Sequence, residues 1–534
     1  RGEVSGRLSV GSKEAGKMPL DLRAQAHSCF GGVYTLRVEE GALREGDVVA
    51  LKYDSPPEGI RVQTFPKEAV SFPAFVDPSG EGILYPFPLE ASPSVEVIPG
   101  PAARCRLALP MTASAGKAFG ARGIMLDEHY NAAPEGVPPK ATLTAQRLDD
   151  DAREIVFSES ADIKDSRCEF TGMTLPQPGY YLMTLEAGDL KSARLVVRCD
   201  EKEERCLLWG AIHGHTCMSD GEFTPEEYFR YGRGTGLVDF CAVSDHDWEL
   251  LEHERSRKLG GFPWLQRLAE EFDQPGRYVT FSAYEWMGTP KTGHVNVYYK
   301  NHRMDNPMYT GAVSILGSRA ADTLEELIEI YQGREDVLLI PHSSHGSCWP
   351  AWDERLMSVV EIYSCWGESE YRLHGPAGAQ AGLQKGYRFG FIGGADSHHG
   401  SPGHTGKPSK HHLLPEREGF AAVYAESFSR EGIFEALKKR ACYATTGERI
   451  RLEFSLGGQP MGSGITCKPG QKLPFHIVAG GTAPVKLLEL IGGGEVIASK
   501  AFDDYLAVFE GEIEAQCSYY YARVTQADGE KAWG

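Results

Sequence analysis

Residues 213–221 read "HGHTCMSDG", which puts two imidazoles and a carboxylate within eight positions of one another. Imidazole and carboxylate together suit divalent ions such as zinc, manganese or iron. The same residue types recur down the middle of the chain: Asp245 and His246, Glu285, His294, His342 and His345, Glu361, then Asp396, His398 and His399. Fourteen of the 17 histidines fall between His213 and His412, so the middle third is the chemical part. A mononuclear site uses three or four protein ligands. A set more than twice that size points to two or three ions sharing bridging carboxylates, an arrangement that makes a hydroxide nucleophile near neutral pH.

These residues need elements to aim them. Side chains two apart on a strand point the same way, so His213 and His215 can enter one site, as can Asp396 and His398. Gly214 leaves room on the opposite side. "LVDFCAVSDHD", "RYVTFSAYEW", "VLLIPHSSH", "SVVEIYSCW" and "RFGFIGGADSHH" are apolar runs of strand length, each ending in ligand-type residues. Between them lie helix signals. Thr224 is an N-cap with Pro225 in the first turn, Thr323 with Glu326 forms a capping box stopping at Gly333, and "SREGIFEALKKR" is amphipathic. Alternating strands and helices with working groups at strand ends predict an α/β barrel-like domain over residues 206–450.

The flanks differ. "GGVYTLRVEEG", "GYYLMTLEAG" and "SARLVVRC" alternate apolar and polar residues and end at Gly or Asp, which predicts β-rich domains over 1–112 and 113–205. "IRLEFSLGG", "LPFHIVAGG" and "YYYARVTQADG" predict a C-terminal β-sandwich-like domain over 451–534. The chain of 534 residues is long enough for these four parts. Its net charge of −19 argues against nucleic acid as the main partner, since phosphate backbones need a basic surface. No apolar run reaches the length of a membrane span. Twelve cysteines, several inside apparent strands, read as reduced buried thiols and favour a cytoplasmic location. A homo-oligomer is compatible with the β-rich flanks.

The ordered strings "HGHTCMSDG", "SDHD", a strand-end Glu, "GHVNVY", "PHSSH" and "GADSHH" closely resemble the PHP superfamily, named for polymerase and histidinol phosphatase domains. The resemblance covers residues 206–450. "RACYATTGERI" and the β-flanks further resemble a PHP-like subgroup of unknown function. The resemblance implies a distorted (β/α)7 barrel, a trinuclear metal centre and phosphoester hydrolysis. Carried over by motif, His213, His215, Glu285 and Asp396 would bind one metal. Glu285 would bridge to a second, held also by His294 and His342. Asp220, His246 and His398 would hold the third.

Other residues have lesser expected roles. Asp245 reads as a catalytic helper that fixes an imidazole, and His345 as a proton donor to the leaving group or a substrate contact. Arg372 and Lys291 are candidate anion clamps, and His399, His404 and Glu361 candidate pocket residues. Trp286, Trp349 and Trp366 read as core. The expected function is a metal-dependent hydrolase in which a metal-bridging hydroxide attacks a phosphoester of a small organic or carbohydrate-type substrate. The alternatives are the same centre acting on a sulfate ester, amide or glycosidic bond, and a non-enzymatic carbohydrate-binding or assembly protein with structural metal. No "GxSxG" elbow supports serine catalysis.

Overall fold

The structure, a computed structural model, describes residues 7–9, 20–28, 31–38, 52–54, 65–71, 75–77, 85–86 and 94–534; within the last range 248–249, 251–257, 289–292, 303–320, 322, 343–348, 350, 372–377 and 405–416 fall outside the description. The chain forms two compact units, Arg1–Ile98 with Pro408–Leu414, and Pro99–Lys407 with Pro415–Gly534. The first holds short antiparallel pairs, the longest being Leu20–Ser28 with Gly31–Val38.

The second unit begins with two sheets. One has five strands (Thr112–Ser114, Ala193–Asp200, Gly179–Glu186, Lys140–Arg147, Ile155–Asp162), the other three (Arg167–Met173, Phe119–Leu126, Arg104–Ala108). Leu107, Met125, Leu143, Phe170, Met183, Leu185 and Val197 are buried in one core there. The expected domain break near residue 112 falls inside this set, because Arg104–Ala108 pairs with Phe119–Leu126.

The central sheet carries the histidines. Its elements are β1 (Cys206–Ala211), α1 (Pro225–Tyr231), β2 (Phe240–Val243), α2 (Gly261–Phe272), β3 (Val279–Trp286), β4 (His294–Tyr299), α3 (Leu324–Tyr331), β5 (Val337–His342), β6 (Val359–Ser364), α4 (Ala379–Gln384), β7 (Gly390–Gly393), β8 (Phe420–Ala425), α5 (Arg430–Lys438) and β9 (Cys442–Thr445). The strand order is β7-β6-β5-β4-β3-β2-β1-β8-β9. The neighbours β1–β2, β2–β3, β5–β6 and β6–β7 are parallel. β2, β3, β5 and β6 are buried at every position, as expected for strands covered on both faces.

Strict alternation of strand and helix is not what the chain adopts. β4 runs antiparallel to both β3 and β5, because a short link from Trp286 to His294 returns the chain directly instead of through a crossover helix. Beyond the ends of β1 and β7 an isolated parallel bridge joins Gly214 to Ser397.

The helix starts at Thr224 and Thr323 follow the predicted cap chemistry. Thr224 and Glu227 form a reciprocal capping box, as do Thr323 and Glu326, and Ser429 accepts from the Gly432 amide. α3 ends at Tyr331, with Gly333 at φ +80° two residues on.

The C-terminal strands β10 (Arg451–Leu456), β11 (Lys472–Gly492), β12 (Glu495–Glu514), β13 (Tyr520–Gln526) and β14 (Lys531–Trp533) continue the same sheet, since β14 pairs with both β9 and β13. Ten described cysteines are free thiols. Among the described residues no helix is long and apolar enough to cross a membrane.

Candidate metal centre

The chain leaving β1 carries His213 and His215, and the chain leaving β7 carries Asp396 and His398. Two backbone bonds lock these segments together: the His215 amide to Ser397 O at 2.8 Å and the Asp396 amide to His213 O at 2.9 Å. Gly214 is required in between, because a Cβ there would lie 2.4 Å from the Tyr228 hydroxyl of α1. Both imidazoles therefore face one way. Nε2 of His213 lies 3.4 Å from Glu285 Oε2 and 3.4 Å from Asp396 Oδ1; for Nε2 of His215 both distances are 3.2 Å.

Glu285, near the end of β3, is the point of convergence. Its Oε2 faces His213, His215 and His246, the last at 3.3 Å. Its Oε1 faces His294 Nδ1 at 2.8 Å and His342 Nε2 at 2.6 Å. The register explains the second pair, since His294 on β4 sits directly across from His342 on β5. A third group lies beside the first. Asp220 Oδ2 is 3.3 Å from His398 Nε2, and Asp220 Oδ1 is 3.7 Å from His246 Nδ1. The His215 ring stacks on His398 at 4.3 Å and approaches His246 at 4.4 Å between centroids.

All nine residues expected as ligands are thus gathered. Their donor atoms fall into overlapping groups: His215, Asp220, His246 and His398; His213, His215, Glu285 and Asp396; Glu285, His294 and His342. A further group joins His213, His342 and Glu361.

The donor set fits divalent ions. Two ligand atoms each about 2.1 Å from one ion at a tetrahedral angle stand about 3.4 Å apart, close to the 3.2–3.4 Å separations around Glu285 Oε2. Oδ2 of Asp396 is buried and has no hydrogen-bond partner among the described residues, an arrangement that costs free energy unless a cation or donor meets it. The backbone of Asp396 is held at φ +50°, a region few non-glycine residues occupy, and Cys365 Sγ donates to its carbonyl at 2.9 Å.

The charges are strongly coupled. Burial works against ionised Glu285 and Asp396, yet the surrounding imidazoles, His342 first for Glu285 and His213 first for Asp396, hold both well below the usual carboxylate range. Burial and His246 disfavour charge on His215, but Asp396 and Glu285 push it up to about 9. A ligating imidazole must offer a lone pair, so a bound cation would take the place of any proton held on these nitrogens.

The remaining expectations fare differently. Asp245 does not fix an imidazole: its carboxylate accepts from the Thr216 amide at 2.7 Å, Thr216 Oγ1 at 2.6 Å and Ser219 Oγ at 2.5 Å. It pins the 216–219 turn that delivers Asp220, because that turn supplies the nearest donors. Glu361 sits behind His213, with Oε2 2.9 Å from Nδ1. His404 contacts the carbonyl of His129 and the Tyr130 ring instead of the cluster. His399 is partly exposed and belongs to none of the donor groups. Trp286 and Trp349 are core side chains, Trp349 stacking on Phe389 at 5.4 Å; Trp366 is partly exposed. His345, Arg372 and Lys291 lie outside the described residues. Sequence reading missed the contributions of Thr216, Ser219 and Cys365, whose only local signal is their closeness to the ligand strings.

A family described as "Protein of unknown function (DUF3604)" matches residues 251–357 and 406–466. The chain is similar to uncharacterized proteins of Chlamydia pneumoniae (27% identity over 400 residues) and Chlamydia muridarum (24% over 398), in each case over 67% of this chain and 61% of the relative. The chain thus spans less than two thirds of the length of these relatives. Among solved structures, a two-domain protein from Bacteroides vulgatus, described as containing a predicted PHP-like metal-dependent phosphoesterase, aligns over 60% of this chain and 91% of its own, with 14% identity and a TM-score of 0.33.

Proposed function

We propose that this protein is a metal-dependent hydrolase acting on phosphoesters, its centre being a distorted PHP-like barrel formed by β1 to β7. The observation that carries the reading is the two-sided environment of Glu285, with His213, His215 and His246 on Oε2 and His294 and His342 on Oε1. A carboxylate so placed suits bridging between two ions. The Gly214–Ser397 bridge supports the barrel, since it links the outermost strand β7 back to β1.

We assign His213, His215, Glu285 and Asp396 to one ion, Glu285, His294 and His342 to a second, and Asp220, His246 and His398 to a third. Bound divalent ions would supply an acidified water and stabilise charge developing on the phosphoryl oxygens. The chain's own work is positioning. The paired backbone bonds between 213–215 and 396–397 fix the imidazoles, and Asp245 fixes the turn before Asp220. His345, three residues after His342, is our candidate proton donor to the leaving oxygen. The substrate class is a small organic or sugar-type phosphoester.

The test is elemental analysis of the purified protein with turnover of bis(p-nitrophenyl) phosphate and p-nitrophenyl phosphate. Wild type should carry two or three divalent ions and cleave at least one ester. His215→Ala and Asp396→Ala should lose metal and activity together. Unchanged turnover in both variants would refute the proposal.

A further inference from the structure

Glu361 lies outside the nine residues assigned above, yet it is a carboxylate only 2% exposed at the heart of the site. It sits on β6 in register with His342 of β5 and Ile392 of β7, so strand pairing on both sides fixes its backbone. Its Oε2 approaches His213 Nδ1 at 2.9 Å. That nitrogen is on the far side of the ring from Nε2, which faces Glu285 and Asp396 at 3.4 Å each. The two sides of one imidazole therefore have different surroundings. On the Nε2 side the oxygens stand at the spacing of donors sharing an ion. On the Nδ1 side the separation is that of a direct hydrogen bond.

A neutral imidazole carries one proton, and the hydrogen bond made by one nitrogen decides which lone pair the other offers. A carboxylate at Nδ1 draws the proton there and leaves Nε2 as the lone-pair donor. Space for this carboxylate has been made in the fold. A Cβ on Gly394 would lie 1.8 Å from Glu361 Oε2, so the second glycine of "GGADSHH" is needed for the acid to reach the ring.

We propose that Glu361 is a positioning residue: it accepts the Nδ1 proton of His213 and so turns Nε2 toward the Glu285–Asp396 cluster as a metal ligand, with Gly394 providing the room. The inference rests on the metal-centre reading above. It assigns Glu361 neither to substrate nor to an ion, and it predicts that a proton, not an ion, lies between His213 Nδ1 and Glu361.

The test uses chelator-stripped full-length wild type, Glu361→Ala and Glu361→Gln, titrated with Co(II) and followed by the visible spectrum and by competition with a chromogenic chelator. Removal of such a partner typically weakens metal binding by about 10–100-fold. Glu361→Ala should show a loss of that size, an altered Co(II) spectrum and a fall in kcat with KM nearly unchanged. Glu361→Gln should recover most of the affinity, because its amide oxygen can still accept from Nδ1. Affinity within twofold of wild type and an unchanged spectrum in Glu361→Ala would overturn the inference while leaving the metal centre intact. Failure of wild type itself to bind Co(II) would overturn the metal-centre reading and this inference with it. Should Glu361→Ala not fold, a neutron structure of zinc-loaded wild type decides: a deuteron on His213 Nδ1 directed at Glu361 supports the proposal, and a bare Nδ1 or an ion between the two refutes it.

Discussion

Glu285 and Glu370 are both carboxylates only 1% exposed, and they are buried by different chemistry. Glu370 meets Arg523 Nη1 through both oxygens, at 3.0 and 2.8 Å, the Trp533 indole at 3.0 Å and the Tyr521 hydroxyl. Arg523 also reaches Glu489 at 2.8 Å. Guanidinium and indole are donors that keep their protons, so this network has one state. It fastens β13 and β14 to the chain just beyond β6. Glu285 is instead ringed by imidazoles, each able to carry a proton or offer a lone pair. The first region is built to stay as it is. The second can exchange protons for cations, and that difference separates a structural charge cluster from a candidate reaction centre.

The sharpest way to break this comparison is to exchange the effects. Glu285→Gln should abolish metal loading and phosphoester turnover, as read by elemental analysis and release of p-nitrophenol. Arg523→Ala should retain the wild-type metal content but lower the unfolding free energy by about 3–5 kcal/mol, measured by denaturant titration, because it strands the buried Glu370 charge. Loss of metal in Arg523→Ala alone would show that the two regions are one coupled unit.

A smaller effect separates them by pH. Asp396 and Glu285 push the His215 imidazole up to about 9 in the metal-free protein, so as the pH falls a proton competes increasingly for the nitrogen that a cation needs. Apparent zinc affinity should fall as pH drops below about 9, and zinc uptake should release protons, seen by calorimetry in buffers of different ionisation enthalpy. Affinity independent of pH from roughly 6 to 9 would contradict this.

The smallest expected effect is a control. Thr224→Ala removes the capping box of α1, the helix that presents Tyr228 to Gly214. It should cost about 1 kcal/mol of stability and leave metal stoichiometry unchanged. A parallel loss of metal would mean that the centre tolerates no loosening of its surroundings.

What was legible in the sequence was local. Spacing of two placed His213 and His215 on one side, because strand geometry alternates side chains whatever the rest of the chain does. Thr224 and Thr323 announced their helices, because a cap is settled within four residues. The strand-end position of each acid and histidine followed from short apolar runs that stop at polar ones. Long-range pairing decided the rest. That both Glu285 oxygens would be surrounded depended on β4 turning antiparallel and setting His294 opposite His342. Asp245 took the turn at 216–219 and Glu361 took the back of His213 because distant strands brought those donors nearest. The C-terminal strands joined the central sheet through β9 and β14, a pairing no local pattern encodes. A residue's type and its immediate spacing are written in the chain, whereas the partner of a buried charge is chosen by which strands become neighbours.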